Sequence, residues 1–358
     1  MLKNNIINNF QDKQIICSIR KQFLQLFDTN QVSLMVETNC EYERINFRFG
    51  KSRSGMASYL VEGFTLSDSH YVYKLRLGPI ENGKYFYEII AGDNSRKGIF
   101  NHKIEEENLN LALFGDSQLG DSFFYRLVSN SKIHRPDYYI HVGDMVQQPR
   151  LHKEWQTFFF DIASLAPTPW LIVQGNHDIG PSQKYFHEQT FHAVTICGIR
   201  IIVLDTNRNT PDQLQWLEEE LKSINYMQAE YKIVLMHVAP FIEFWEPKAW
   251  FSGESEWPEY AQQNFVPLLE EAKVDLVVSG HQHNYQRGKR NGVTFVVSGG
   301  AGGDLDLERV KDYKLYSVTK LEHHYLILSK RTNELVVRAY GLDNEVIDDF
   351  RIKNRKME

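Results

Sequence analysis

The chain has 358 residues, 42% of them hydrophobic and 13% aromatic, enough to bury one large core or two smaller ones. A formal net charge of −6, with no basic tract longer than the tail RIKNRKME, argues against nucleic acid as a stable partner. No apolar run reaches membrane-spanning length, and the start MLKNNIINNFQDKQ lacks the apolar core of a secretion signal. The three cysteines, Cys17, Cys40 and Cys197, show neither paired nor metal-type spacing. The default expectation is therefore a cytoplasmic protein in a reducing compartment, exported only if a leader has been trimmed.

Up to about Ile104 the pattern predicts short strands. VSLMVET, RINFRFG, YVYKLRLG and KYFYEIIAG are rich in β-branched and aromatic residues, and ENG and GDNS punctuate them. A small all-β sandwich over residues 1–104 follows, with no cluster of catalytic residue types. RKGIFNHKIEEENLN (96–110) reads as a connector. From Leu109 the rhythm changes: LALFG, YYIHVG, WLIVQG, IRIIVLD, KIVLMH, DLVVSG and TFVVSGG alternate with helical stretches. Thr210, Pro211 and Gln213 predict a helix start with a capping box. Near-continuous apolar strands imply sheets covered on both faces, hence α/β layers over residues 105–358.

In this second region the chemically capable residues fall just after strands. Asp116 follows LALFG, Asp144 follows YYIHVG, and Asn176, His177 and Asp178 follow WLIVQG. His237 ends KIVLM, and His281 and His283 follow DLVVSG. Loops at the carboxyl ends of strands are where open α/β sheets bind ligands. Any one of these residues has a simpler reading, as a turn, a helix cap or a satisfied buried histidine. All five loops in strand-end register together offer a ligand set for divalent or trivalent ions, with one carboxylate able to bridge a pair. In an extended loop, period-two geometry sends His281 and His283 to the same side, one for each metal.

GDSQ, GDMV, GNHD, VLMH and GHQH stand in the order and spacing of the calcineurin-like metallophosphoesterases, which the chain resembles over nearly its whole length. The longer GHQHNYQR is similar to the purple acid phosphatase branch, whose members carry a fibronectin type III-like domain before the catalytic one. The resemblance implies a four-layer αββα metallophosphoesterase sandwich preceded by a small all-β sandwich. It implies two divalent metal ions, with Asp116 and His283 on the first, Asp144 bridging, and Asn176, His237 and His281 on the second. His177 would face the substrate as acid or phosphate-binding group, oriented by Asp178. The implied reaction is hydrolysis of phosphate monoesters or diesters by a water that the metals activate.

Two positions depart from the pattern. The tyrosine ligand of purple acid phosphatases is replaced by Gln147, and the histidine usual two positions after the first aspartate is replaced by Gln118, whose amide oxygen is a candidate ligand. A neutral amide stabilises a trivalent ion poorly, so manganese, zinc or ferrous iron is expected. Between His237 and His281, PFIEFWEPKAWFSGESEWPEY reads either as a satellite core or as an aromatic wall for substrate. Trp245, Trp250, Lys248 and Arg287 are the candidate substrate contacts. The glycine-rich VVSGGAGGDLD either brings amides to phosphate or makes a tight reversal. The expected partner is a phosphorylated small molecule or a phosphoprotein. A phosphoprotein phosphatase of the same fold and a catalytically weak scaffold are the alternatives.

Overall fold

The computed structural model describes residues 17–67, 70–165, 167–180, 185–186, 189–244 and 257–354. The N-terminal strands are β1 (Ile19–Asp28), β2 (Gln31–Thr38), β3 (Arg44–Gly50), β4 (Ala57–Ser67), β5 (His70–Leu77), β6 (Gly83–Ala91) and β7 (Asn94–His102). They form an all-β unit in which β4 serves both halves. Its residues 57–62 pair with β3, and its residues 63–67 pair with β5. Leu24, Leu26, Leu34, Phe47, Tyr87 and Ile89 fill the space between. The expected connector 96–110 is mostly strand: β7 runs to His102 and pairs along all of β6. The chain then crosses 103–108 into the second region.

That region contains β8 (Leu109–Phe114), α1 (Asp121–Ser131), β9 (Tyr138–His141), α2 (His152–Asp161), β10 (Trp170–Ile172), β11 (His192–Ile196), β12 (Ile199–Leu204), α3 (Pro211–Glu220) and β13 (Tyr231–Met236). After β13 come α4 (Trp257–Tyr260), α5 (Val266–Glu271), β14 (Leu276–Ser279), β15 (Tyr285–Arg290), β16 (Val293–Ser298), β17 (Tyr316–Lys320), β18 (His324–Lys330), β19 (Glu334–Gly341) and β20 (Val346–Lys353). One sheet runs β20-β19-β18-β8-β9-β10, and the other β11-β12-β13-β14-β16-β15-β17. Strand alternation builds the layers. Leu111 and Leu113 face the core between the sheets, while Ala112 and Phe114 turn outward to Phe124, Trp155 and Phe158 of α1 and α2. On the second sheet Ile201 and Ile233 point inward, and Ile202 and Val234 pack outward with Leu217 and Phe265. This is the four-layer arrangement with an all-β domain in front. The front domain is continuous with the first sheet, because β1 pairs in parallel with β10 at Gln25 and Trp170. Among the described residues no helix is long and apolar enough to cross a membrane.

Two local expectations are corrected. Thr210 precedes α3 in extended conformation and Pro211 opens it, but the Thr210 side chain makes no cap bond. Gln213 instead ties down the preceding loop, accepting from the Asp205 N–H at 2.7 Å and donating to the Asp205 carbonyl at 2.8 Å. The second correction concerns the cysteines. Cys17 and Cys40 are joined in a disulfide, linking the approach to β1 with the turn after β2, and Cys197 is free and buried. The unreduced, unfolded protein should therefore titrate one thiol per chain, rising to three on reduction. Reduction should cost roughly 3 kcal/mol of stability for a loop of this size. Three thiols without reductant would contradict the pairing. Phe241, from the stretch read as a satellite core or an aromatic wall, is buried and packs edge-on against Phe295 and Tyr313, as the core reading has it.

His324, at the start of β18, is buried with Nδ1 on the Glu322 carbonyl at 2.9 Å and Nε2 on the Ser298 hydroxyl at 3.0 Å. Burial pushes its pKa down to about 4. The folded protein therefore binds this proton less readily than the unfolded chain does. Its stabilising contribution is complete above about pH 6.5 and is lost as the pH falls towards 4. Urea midpoints should show a loss of about 2 kcal/mol from this residue between pH 7 and pH 5, and His324→Gln should lack that share of the slope.

Candidate metal centre

Five loops at the carboxyl ends of β8, β9, β10, β13 and β14 converge, as parallel strands require of neighbouring strand ends. Three of the residues they deliver, Asp116, Asp144 and His281, have left-handed backbones, with φ of 60°, 56° and 71°. Such conformations cost energy in non-glycine residues, and they gather where a structure holds side chains for a purpose. His281 reaches its place through this left-handed kink rather than through an extended loop. The preceding glycines allow the close approach. A Cβ on Gly175 would collide with the Asp144 carboxylate, and one on Gly280 with that of Asp116.

Asp144 lies at the middle. Its Oδ2 is 3.2 Å from His237 Nε2 and 3.4 Å from Gln118 Nε2, and its Oδ1 accepts the His177 N–H at 2.8 Å. On one side His237 Nε2 meets Asn176 Oδ1 at 2.9 Å, and His281 stands edge-on to His237 with ring centroids 5.0 Å apart. The ligand atoms of Asp144, His237 and His281 all lie within 4.8 Å of one another. On the other side His283 Nε2 is 3.6 Å from Asp116 Oδ1 and 3.2 Å from Gln118 Nε2. The seven ligand positions expected from the sequence thus come together as two adjoining groups around Asp144.

The donor set fits a pair of cations on three observations. His237 donates from Nδ1 to the Val142 carbonyl at 2.8 Å, and His283 from Nδ1 to the Asp304 carbonyl at 2.7 Å. Both tautomers are thereby fixed with Nε2 turned into the site, as metal-binding histidines are held. Gln118 Oε1 is buried without a hydrogen-bond partner. The electrostatics are strained as well. Burial, with the Asp144 charge nearby, pushes the Asp116 carboxyl well above its usual range and Asp178 up to about 7. Burial opposes charge on His237 too, yet the adjacent Asp144 carboxylate raises it to about 10. Carboxylates crowded in so dry a cleft create a negative potential that multivalent cations relieve.

The role expected of Asp178 is corrected. Its Oδ2 accepts from the N–H groups of Asp144 at 2.8 Å and Gly175 at 2.9 Å, and its Oδ1 from Met145 N–H at 2.9 Å. It therefore clamps the β9 and β10 loops together. The His177 ring is held instead by the Gln147 carbonyl, which accepts from Nδ1 at 2.8 Å. Arg287 does not reach towards the centre: it is bound through two nitrogens to Asp348 at 2.5 and 3.0 Å and lies over the Phe350 ring. Trp245, Lys248 and Trp250 fall outside the described residues.

Sequence reasoning missed several supports. Buried His141 accepts or donates at Ser117 Oγ, 3.0 Å away, under the first loop. Asp306 accepts the His283 N–H at 2.7 Å. The glycine-rich stretch makes a tight reversal that carries Asp304 and Asp306, and the Gly303 N–H donates to the Asp116 carbonyl at 3.0 Å. The signal was there in GGDLD, two acids directly after close-packed glycines.

Comparison with known proteins agrees with this geometry. Residues 109–285 match the calcineurin-like phosphoesterase family. Purple acid phosphatase 22 of Arabidopsis thaliana is 25% identical over 71% of this chain and 62% of its own length. Purple acid phosphatase 21 of the same plant is 22% identical over 72% of this chain and 62% of its own. The chain therefore spans about three-fifths of these relatives. A purple acid phosphatase from yellow lupin seeds has the same fold, with a TM-score of 0.81 at 16% identity over 94% of this chain and 74% of that one. Residues 109–285 thus match the calcineurin-like phosphoesterase family behind an N-terminal all-β domain, and the chain is similar to purple acid phosphatases in sequence and shares their fold.

Proposed function

We propose that the chain is a phosphoesterase that uses two divalent cations, manganese, zinc or ferrous iron, to hydrolyse phosphate monoesters, with diesters as a second substrate class. The observation that carries this reading is the position of Asp144, whose one carboxylate is shared by the His237–Asn176 group and the Gln118–His283 group. Bound at such a pair of groups, cations supply Lewis acidity to the phosphoryl oxygens and an activated water for in-line attack. The chain's own residues do the rest. Asp116, Asp144, Asn176, His237, His281, His283 and the Gln118 amide hold the cations. Asp178 fixes the separation of the two central loops through three amide contacts. His177 gives Nδ1–H to the Gln147 carbonyl, so Nε2 is the nitrogen left to exchange a proton with the leaving oxygen.

A small phosphate ester suits the site better than a phosphopeptide, because Arg287, the candidate contact nearest the last motif, is engaged by Asp348. With Gln147 in the tyrosine position, a strong tyrosinate charge-transfer colour is not expected. The Cys17–Cys40 bond further supports an oxidising compartment as the place of work. Turnover of p-nitrophenyl phosphate and bis-p-nitrophenyl phosphate, after adding back each metal to stripped protein, tests the reading. Hydrolysis of the monoester at the higher rate supports it. Diester turnover alone would reassign the substrate class, and turnover of neither would leave a binding scaffold.

A further inference from the structure

A second group of metal-ligating side chains lies away from this centre, where the two domains meet. Glu37 comes from β2, His70 from β5, and His152 opens α2 of the second region. Glu37 is fully buried, and His70 Nδ1 and His152 Nε2 approach its Oε1 at 3.3 and 3.6 Å. All three donor atoms lie within 4.8 Å of one another.

The surrounding hydrogen bonds prepare these atoms. Tyr185 donates its hydroxyl proton to Glu37 Oε2 at 2.8 Å, and Lys21 donates to the same oxygen at 3.0 Å. Oε2 is thereby occupied and Oε1 is turned to the imidazoles. The Tyr185 oxygen also stands 3.1 Å from His152 Nδ1. Its only proton is already given to Glu37, so at His152 it accepts, and Nδ1 carries the hydrogen. That leaves His152 Nε2 as a bare lone pair. It is buried and has no hydrogen-bond partner. A carboxylate–tyrosine relay that fixes the tautomer of a histidine and bares its other nitrogen is the support that ligating histidines commonly have.

The spacing suits a small tetrahedral divalent ion such as zinc. Zinc bonds of 2.0–2.2 Å at tetrahedral angles place neighbouring donor atoms about 3.3–3.6 Å apart. The two separations at Glu37 Oε1, 3.3 and 3.6 Å, fall in that range, and the two imidazole donors lie within 4.8 Å of each other. The geometry points to a structural divalent-metal site, of zinc type, formed by Glu37, His70 and His152 and fastening the β-domain to the catalytic domain. A water completes the fourth position. The site owes nothing to the phosphoesterase reading and stands or falls separately from it.

Zinc content after exhaustive dialysis, compared among wild type, His70→Gln and His152→Gln, tests the proposal. Glu37 is left in place, because its removal would orphan Lys21. Each variant should hold one equivalent of zinc fewer than wild type, whatever the primary centre retains, and should keep its ester turnover. Zinc should raise the unfolding temperature of wild type more than that of either variant. Equal zinc content in all three proteins would overturn the site. If either variant fails to fold, anomalous diffraction at the zinc edge from wild-type crystals decides. A peak bonded to Glu37, His70 and His152 supports the site, and its absence from zinc-containing crystals overturns it.

Discussion

Asp144→Asn is expected to lower ester hydrolysis by at least about 10³-fold, together with loss of metal from both sides of the centre. The substitution keeps the size of the side chain and one carbonyl oxygen for the His177 N–H, so the loops have reason to stay folded. What it removes is the charge shared by the two ligand groups. Asp144 is buried, and its carboxyl is held well below the usual range, because the neighbouring His237 outweighs the cost of burial. Its Oδ2 stands between His237 Nε2 at 3.2 Å and Gln118 Nε2 at 3.4 Å. Elemental analysis and kcat/KM on one preparation read both effects. Wild-type turnover in a folded Asp144→Asn protein would remove the basis of the proposed mechanism.

His177→Ala should behave in the opposite way, keeping its metals while kcat falls by about 10²–10⁴-fold, the usual worth of a positioned general acid. The His177 ring is secured by the Gln147 carbonyl and not by a ligand residue, so removing it leaves the ligand groups intact. The loss should be smaller for p-nitrophenyl phosphate, whose leaving group needs little protonation, than for an alkyl phosphate. An equal loss for both esters would mean that His177 binds phosphate without donating a proton. Loss of metal in this variant would place His177 among the ligands instead.

Much of the site was legible because each ligand loop has the same local grammar. An apolar strand runs to its end, usually a glycine follows, and a carboxylate, amide or imidazole comes next. Physical necessity lies behind the pattern, since Gly175 and Gly280 touch the carboxylates of Asp144 and Asp116 too closely to carry a Cβ. The alternation in LALF likewise foretold which residues of β8 face the inner core and which face α1 and α2.

What escaped was assembled from distant chain segments. Cys17 and Cys40 lie 23 residues apart with strands β1 and β2 between them, and nothing in their flanks marks a pair. Asp178 looked like a partner for the histidine beside it, yet its oxygens go to amides of residues 144, 145 and 175. Gln213 had the position of a capping residue, but Asp205 offered both a donor and an acceptor, and that pairing won. Arg287 was close to the last motif in sequence, while Asp348, 61 residues on, claimed its guanidinium. Glu37, His70 and His152 come from three elements, and only folding brings them to one oxygen.

The central claim is that Asp144 joins two cation sites into one hydrolytic centre. Titration of chelator-stripped protein with manganese, zinc or ferrous iron, following bound metal and p-nitrophenyl phosphate turnover together, tests it most directly. The account predicts no turnover in the stripped protein, and turnover that appears only when the second cation enters the Asp144 centre. Full activity without metal, or a centre holding both cations with no turnover of any phosphate ester, would contradict it.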